Sequence, residues 1–198
     1  MIGSGTASVR RSSFSKNVGG LGGAIANYGT LDIAASRFID NFAEGAGAIN
    51  NEGVLTIENS EFTENGATNS AGAIWNEGSV TVTNTTFANN FTYFGVGGAI
   101  LSSGTIVIRN GDFLNNRSFW GGGLLVSGQA TVLDSTFSGN YASGRGGAIY
   151  TSADPLTIRR SIVITNRAGD GGGIFVAGGS LVQDRDTIID NFPNDIGG

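Results

Sequence analysis

Leu55-Thr56-Ile57-Glu58-Asn59-Ser60-Glu61-Phe62-Thr63-Glu64-Asn65, followed after a short loop by Ala71-Gly72-Ala73-Ile74-Trp75-Asn76-Glu77-Gly78, is one unit of a repeat that runs through the whole chain. Leu55 and Ile57 alternate with polar neighbours, and so do Ser60 and Phe62, which is the periodicity of a half-buried strand. Leu31/Ile33, Val80/Val82, Ile106/Ile108, Ala130/Val132 and Leu156/Ile158 repeat the first pair. The Gly-Ala-Ile segment predicts a third short strand. The Asn-x-Gly that follows, in Asn27-Tyr28-Gly29, Asn51-Glu52-Gly53 and Asn76-Glu77-Gly78, predicts a turn in the left-handed conformation.

Outward from this unit, Phe-x-x-Asn or a close variant recurs eight times: Phe14/Asn17, Phe38/Asn41, Phe62/Asn65, Phe87/Asn90, Phe113/Asn116, Phe137/Asn140, Val163/Asn166 and Ile188/Asn191. The interval is just under 25 residues. A unit of three short strands and three corners cannot close its own core, so it must coil and stack on the next. The leucine-rich pattern fits superficially, but that fold places a helix or 3₁₀ turn where this chain has Gly-Gly-Ala-Ile. Left-handed β-helices built on hexapeptides have too short a turn, and a propeller blade needs about 40 residues. The expected architecture is therefore all-β, a right-handed parallel β-helix of about eight rungs. Residues 1–6 are read as its N-terminal edge, residues 7–198 as a single domain, and the last rung falls near 181–198.

Stacking would place Phe14, Phe38, Phe62, Phe87, Phe113 and Phe137 in one interior column and Ile25, Ile49, Ile74, Ile100, Leu124, Ile149 and Ile174 in another. The corner asparagines would form a ladder, because a primary amide can bond its own turn and the amide of the next rung. The glycine pair suits a tight interior or a positive φ.

Composition narrows the function classes. A net charge of −5 with a single lysine, Lys16, opposes a nucleic-acid partner. The chain has no cysteine and no histidine, which removes disulfides, thiolate metal sites and the commonest general base. No apolar run approaches the roughly 20 residues of a membrane helix, and the start lacks signal-peptide character. It reads as the trimmed edge of a longer array.

Paired Gly-Gly-Ala-Ile and Phe-x-x-Asn tetrapeptides resemble the defining repeats of the chlamydial polymorphic membrane proteins and of other bacterial surface β-helices with a pectate-lyase-like fold. The matching positions are the eight pairs above with Gly22 to Ile25, Gly97 to Ile100 and Gly146 to Ile149. The resemblance covers essentially residues 7 to 198. It implies an autotransported cell-surface passenger acting as an adhesin, although cysteines and a membrane barrel are missing from this chain.

Catalysis has one local candidate, Asp184-Arg185-Asp186 with Arg159-Arg160 in the preceding rung. Glycoside hydrolysis needs two facing carboxylates, and lyase chemistry needs clustered acids for Ca²⁺ with a basic residue. Glycine-rich strings such as Gly95-Val96-Gly97-Gly98 lack the ending of a phosphate loop. No catalytic residue, metal ligand or cofactor is assigned. Asn84, Asn90 and Asn116 begin glycosylation sequons, two of them within the expected interior ladder.

Recognition would fall on the loops between Phe-x-x-Asn and Gly-Gly, where Phe91, Tyr93, Phe94, Phe119, Trp120 and Tyr141 gather on one lateral edge. A second stripe, Trp75, Leu101, Leu125, Tyr150 and Phe175, follows the interior isoleucine and is expected to face outward as an exposed apolar column. The leading expectation is a non-catalytic extracellular adhesin or structural surface module, with a host or neighbouring-cell surface protein or glycan as partner. A carbohydrate-binding or polysaccharide-degrading β-helix and a self-assembling repeat unit are the alternatives. This segment itself is not expected to insert into a membrane.

Overall fold

The computed structural model describes residues 1–153 and 155–198. Its strands assemble into three parallel sheets that wind together as a solenoid of eight coils. In the third coil, Val54–Glu58 and Glu61–Thr63 belong to the first sheet, Gly66–Ala67 to the second and Ile74–Asn76 to the third. The first sheet receives two segments per coil, which fuse into the ten-residue strands Ser79–Ala88 and Thr105–Leu114 in the middle of the array. Pairing in the first and third sheets is in register, with Leu55 between Leu31 and Val80 and Ile74 between Ile49 and Ile100, while in the second sheet the register shifts between Ser118, opposite Ala142, and Trp120, opposite Arg145. At the start, Ile2 already bridges to Asn27, and Thr6–Arg10 is the first strand.

The core follows directly from this register. Phe38, Phe62, Phe87, Phe113 and Phe137 have no exposed surface, and their rings stack with centroids 4.4–5.0 Å apart and planes within 14° of parallel. Phe14 extends the stack at 4.8 Å and is half-buried at the open N-terminal coil. Val163 and Ile188 continue the column, and the isoleucine column gains Ile196, paired to Ile174.

Three polar ladders run along the corners. Each corner asparagine from Asn17 to Asn166 donates its backbone N–H and its Nδ2 to the Oδ1 of the asparagine one coil on. Beyond the first coil, Nδ2 also donates to a carbonyl of the coil before, as from Asn116 to Phe87 at 2.9 Å. The amide is thereby satisfied on both sides, which makes a buried polar column tolerable. A shorter ladder joins Asn27, Asn51, Asn76 and the hydroxyl of Ser102. The third uses Ser36, Ser60, Thr85, Ser135 and Ser161, whose hydroxyls accept a backbone N–H from the coil before and donate to the carbonyl two residues earlier.

The corners differ from the sequence expectation. Gly29, Gly53 and Gly78 are not in the left-handed region; a Cβ on Gly53 would fall on the carbonyl oxygen of Gly29, so these glycines serve the close approach of stacked backbones. The left-handed residues occur twice per coil elsewhere, at Asn59 (φ 49) between the two segments of the first sheet and at Glu64 (φ 57) just before the ladder asparagine. Among the described residues, all fifteen non-glycine residues with positive φ occupy these two positions, including the β-branched Thr165. Such a conformation costs an L-residue roughly 1–2 kcal/mol, which the ladder bonds beside it offset.

Candidate functional site

The second sheet carries the irregular loops, because its strands are short and the chain leaves them at different lengths before each Gly-Gly. Between coils four and five this produces a groove of about 520 Å³ lined by Phe91, Thr92, Tyr93, Phe94, Arg117, Ser118, Phe119 and Ser143. Phe91 lies flat over Gly66 of the coil before, where any side chain would collide with its ring. Tyr93 then meets Phe91 edge-on, with centroids 5.3 Å apart, and tilts toward Phe42 at 6.1 Å. Phe94 is 81% exposed, and Tyr93 and Phe119 also present their rings to solvent. Thr92 belongs to the lining, its buried hydroxyl without a hydrogen-bond partner among the described residues, and Ser118 donates its hydroxyl proton to the Trp120 carbonyl.

The structure brings four of the six expected edge residues into this groove and sends the other two elsewhere. Trp120 turns away and stacks on Tyr150 at 5.4 Å and 8°. Tyr141 sits one coil on, with the Arg117 guanidinium carbon 5.6 Å from its ring centroid. Arg117 joins the groove to this column, and no sequence argument singled it out. The signal was present: Phe91, Arg117, Tyr141, Arg167 and Phe192 each follow a ladder asparagine.

The apolar stripe needs correction. Trp75, Leu101, Leu125, Tyr150 and Phe175 do form one column on the third sheet. It is not an exposed face, because Leu125 and Phe175 are buried and the others half-buried. The returning loops cover it: Trp120 caps Tyr150, Tyr150 stacks on Phe175 at 5.5 Å, and the Arg145 guanidinium lies 4.7 Å from the centroid of Phe175.

The acidic candidate at the last coil is likewise occupied. Asp186 Oδ1 accepts the Ser161 N–H at 2.8 Å, ending the serine ladder, and its Oδ2 accepts the Asp184 N–H at 3.1 Å. Asp184 faces Arg185 at 3.4 Å. The asparagine ladder ends in the same way, with Asn191 donating its N–H and Nδ2 to Asp195 Oδ1 at 3.1 and 2.9 Å. Carboxylates suit these places because the Ser161 N–H and the Asn191 N–H and Nδ2 point toward the C-terminus and require an acceptor there. Among the described residues, no three His, Cys, Asp or Glu side chains gather as a metal-binding group.

Elsewhere on the exterior, Arg160 grips Asp134 through two bonds of 2.7 Å. Those hydrogen bonds hold the Asp134 carboxyl below the usual carboxylate range and raise Arg160. Asn90 and Asn116 are fully buried in the ladder, and Asn84 is exposed, bonded to Asn59 and Asn110.

Stacked parallel coils, corner ladders and laterally emerging loops define the class of parallel β-solenoids. Residues 1–162 match the model of the right-handed β-helix region, and the chain belongs to that family. No curated protein and no solved structure matches it.

Proposed function

We propose that this chain is a non-catalytic, extracellular binding module of the adhesin kind that holds a glycan against the aromatic edge of coils four to six. The observation that carries this reading is the groove itself. It offers exposed rings from Tyr93, Phe94 and Phe119 and an exposed guanidinium from Arg117. Planar rings suit the apolar faces of sugars, while a few fixed polar groups set orientation. Among the described residues no carboxylate lines the groove, whereas glycoside hydrolysis calls for two. The acids that most resembled a catalytic pair are engaged by backbone N–H groups at the end of the array. The cell-surface placement, and an autotransporter origin, rest on the resemblance of the Gly-Gly-Ala-Ile and Phe-x-x-Asn repeats to the polymorphic membrane proteins.

The test is a glycan array probed with the natural chain and with Phe94→Ala and Phe119→Ala, alongside a reducing-end assay on every glycan retained. Retention without new reducing ends or unsaturated products, lost in the two variants, is the expected result. Turnover of a bound polysaccharide overturns the non-catalytic reading. Retention that is indifferent to both substitutions removes the groove as the site.

A further inference from the structure

From coil four onward, the residue after each ladder asparagine builds a column of alternating character on the second sheet: Phe91, Arg117, Tyr141, Arg167, Phe192. Backbone register sets Phe91 opposite Arg117, Arg117 opposite Tyr141, Tyr141 opposite Arg167, and Arg167 opposite Phe192. Each arginine lies against the ring of the next coil, Arg117 at 5.6 Å from the Tyr141 centroid and Arg167 at 5.2 Å from that of Phe192. Stacking on an aromatic ring fixes the plane of the guanidinium and leaves its fork of N–H donors free to meet an oxyanion. Both arginines are exposed, and neither forms an ion pair among the described residues, although Arg37, Arg160 and Arg185 all face carboxylates. Two pre-set, unpaired cations on one edge are unexpected in a chain of net charge −5.

We propose that this column binds a polysaccharide carrying a carboxylate on alternate sugars, laid along the solenoid axis. The inference rests on the glycan reading of the groove, since Phe91 and Arg117 belong to both. Successive coils are about 4.8 Å apart, so Arg117 and Arg167, two coils apart, stand about 9.6 Å from each other along the axis. One sugar advances by about one coil, so acids on every second sugar meet a guanidinium each, through paired N–H···O bonds. The sugars between them fall beside Tyr141 and the flanking phenylalanines, where the rings offer apolar contact. A polymer with an acid on every sugar sets each second carboxylate against a ring, desolvated and without a cation, and is disfavoured for that reason.

Isothermal titration of the full chain with a hyaluronan decasaccharide, a polygalacturonate oligomer of equal length and a neutral dextran oligosaccharide tests the idea. Hyaluronan, with its alternating uronate, is expected to bind tightest, and its affinity to fall with added salt. Arg117→Ala and Arg167→Ala should each weaken it about tenfold. Arg117→Lys should weaken it too, because a point charge lacks the fork. Arg109→Ala, at an exposed arginine on the first sheet, should leave it unchanged. Equal affinity for polygalacturonate, or unaltered hyaluronan binding in the Arg117 and Arg167 variants, overturns the alternation. If dextran binds and depends on Phe94 and Phe119 while uronate adds nothing, the glycan reading stands and this inference falls. If none of the three binds, both fall.

Discussion

Replacing Asn116 by alanine isolates the energetic weight of the corner ladder. The Asn116 side chain takes part in four hydrogen bonds. Its Oδ1 accepts the Asn90 N–H at 2.9 Å and Nδ2 at 3.0 Å, and its own Nδ2 donates to Asn140 Oδ1 and to the Phe87 carbonyl, each at 2.9 Å. Alanine leaves Asn116's backbone bond to Asn140 in place but strands two donors of Asn90 in a site with no exposed surface. A buried donor without a partner costs about 1–3 kcal/mol, so the substitution should lower stability by about 2–6 kcal/mol. Asn110→Gly is the control. It removes a member of an exposed amide ladder at φ 50, where glycine is at ease, and should change stability by no more than about 0.5 kcal/mol. Equilibrium urea unfolding, followed by far-ultraviolet circular dichroism and tryptophan fluorescence, gives both values when the two probes coincide. A shift for Asn116→Ala below about 1 kcal/mol, indistinguishable from the control, would refute the claim that satisfied amides hold the coils in register.

Phe87→Ala opens a gap between rings at 5.0 and 4.9 Å in the middle of the stack and should cost about 3–5 kcal/mol, read by the same denaturation. Replacing both Asp186 and Asp195 by alanine uncovers the donors of Ser161 and Asn191 that a following coil would otherwise take. The last coil should then exchange amide protons faster, and light scattering should show concentration-dependent association that the natural chain lacks; identical scattering from both proteins counts against the capping role. Asp134, held below its ordinary pKa of 3.8 chiefly by hydrogen bonds from Arg160, stabilises the fold at pH values above 3.8. That contribution disappears as pH falls through the lowered value, so Asp134→Asn should be slightly less stable than the natural chain near neutrality and level with it in strong acid. Because the pair is exposed, the gap should also close in high salt.

Most of the coil was legible because the period repeats the same residue types at the same depth. Phe62 predicts Phe87 and Asn65 predicts Asn90, and each register pair is then forced. The corners were misread because Asn-x-Gly carries a strong local turn preference, whereas the turn at Gly53 is shaped by the backbone of the coil before it. Eight of the fifteen non-glycine left-handed sites hold Asn or Asp, as at Asn59 and Asp134, but Lys16, Glu64 and Thr165 occupy equivalent positions and blur that signal. Asp186 looked like half of a catalytic pair because its ladder partner, Ser161, lies a whole coil away in sequence. The apolar stripe was assigned the correct face but the wrong exposure, since loop return is a tertiary event: nothing local to Trp120 announces that it will lie on Tyr150. The arginine–aromatic alternation is hidden for a related reason, appearing only after loops of unequal length are removed and the residues after the asparagines are compared.

The one-way sense of the polar ladders bears on how such an array can change length over generations. Along the Phe-x-x-Asn corner every interior junction joins the same donors to the same acceptor, so a gene duplication that copies an interior coil recreates that ladder on both sides without a compensating mutation. The last coil cannot be copied inward so freely: Asp186 stands where the coil before carries the Ser161 hydroxyl, and a carboxylate has no proton to give to the carbonyl two residues earlier. Lengthening by unequal crossing-over is therefore easier among the coils joined by asparagine amides than at the aspartate-bearing coil, which gives the solenoid an adjustable reach.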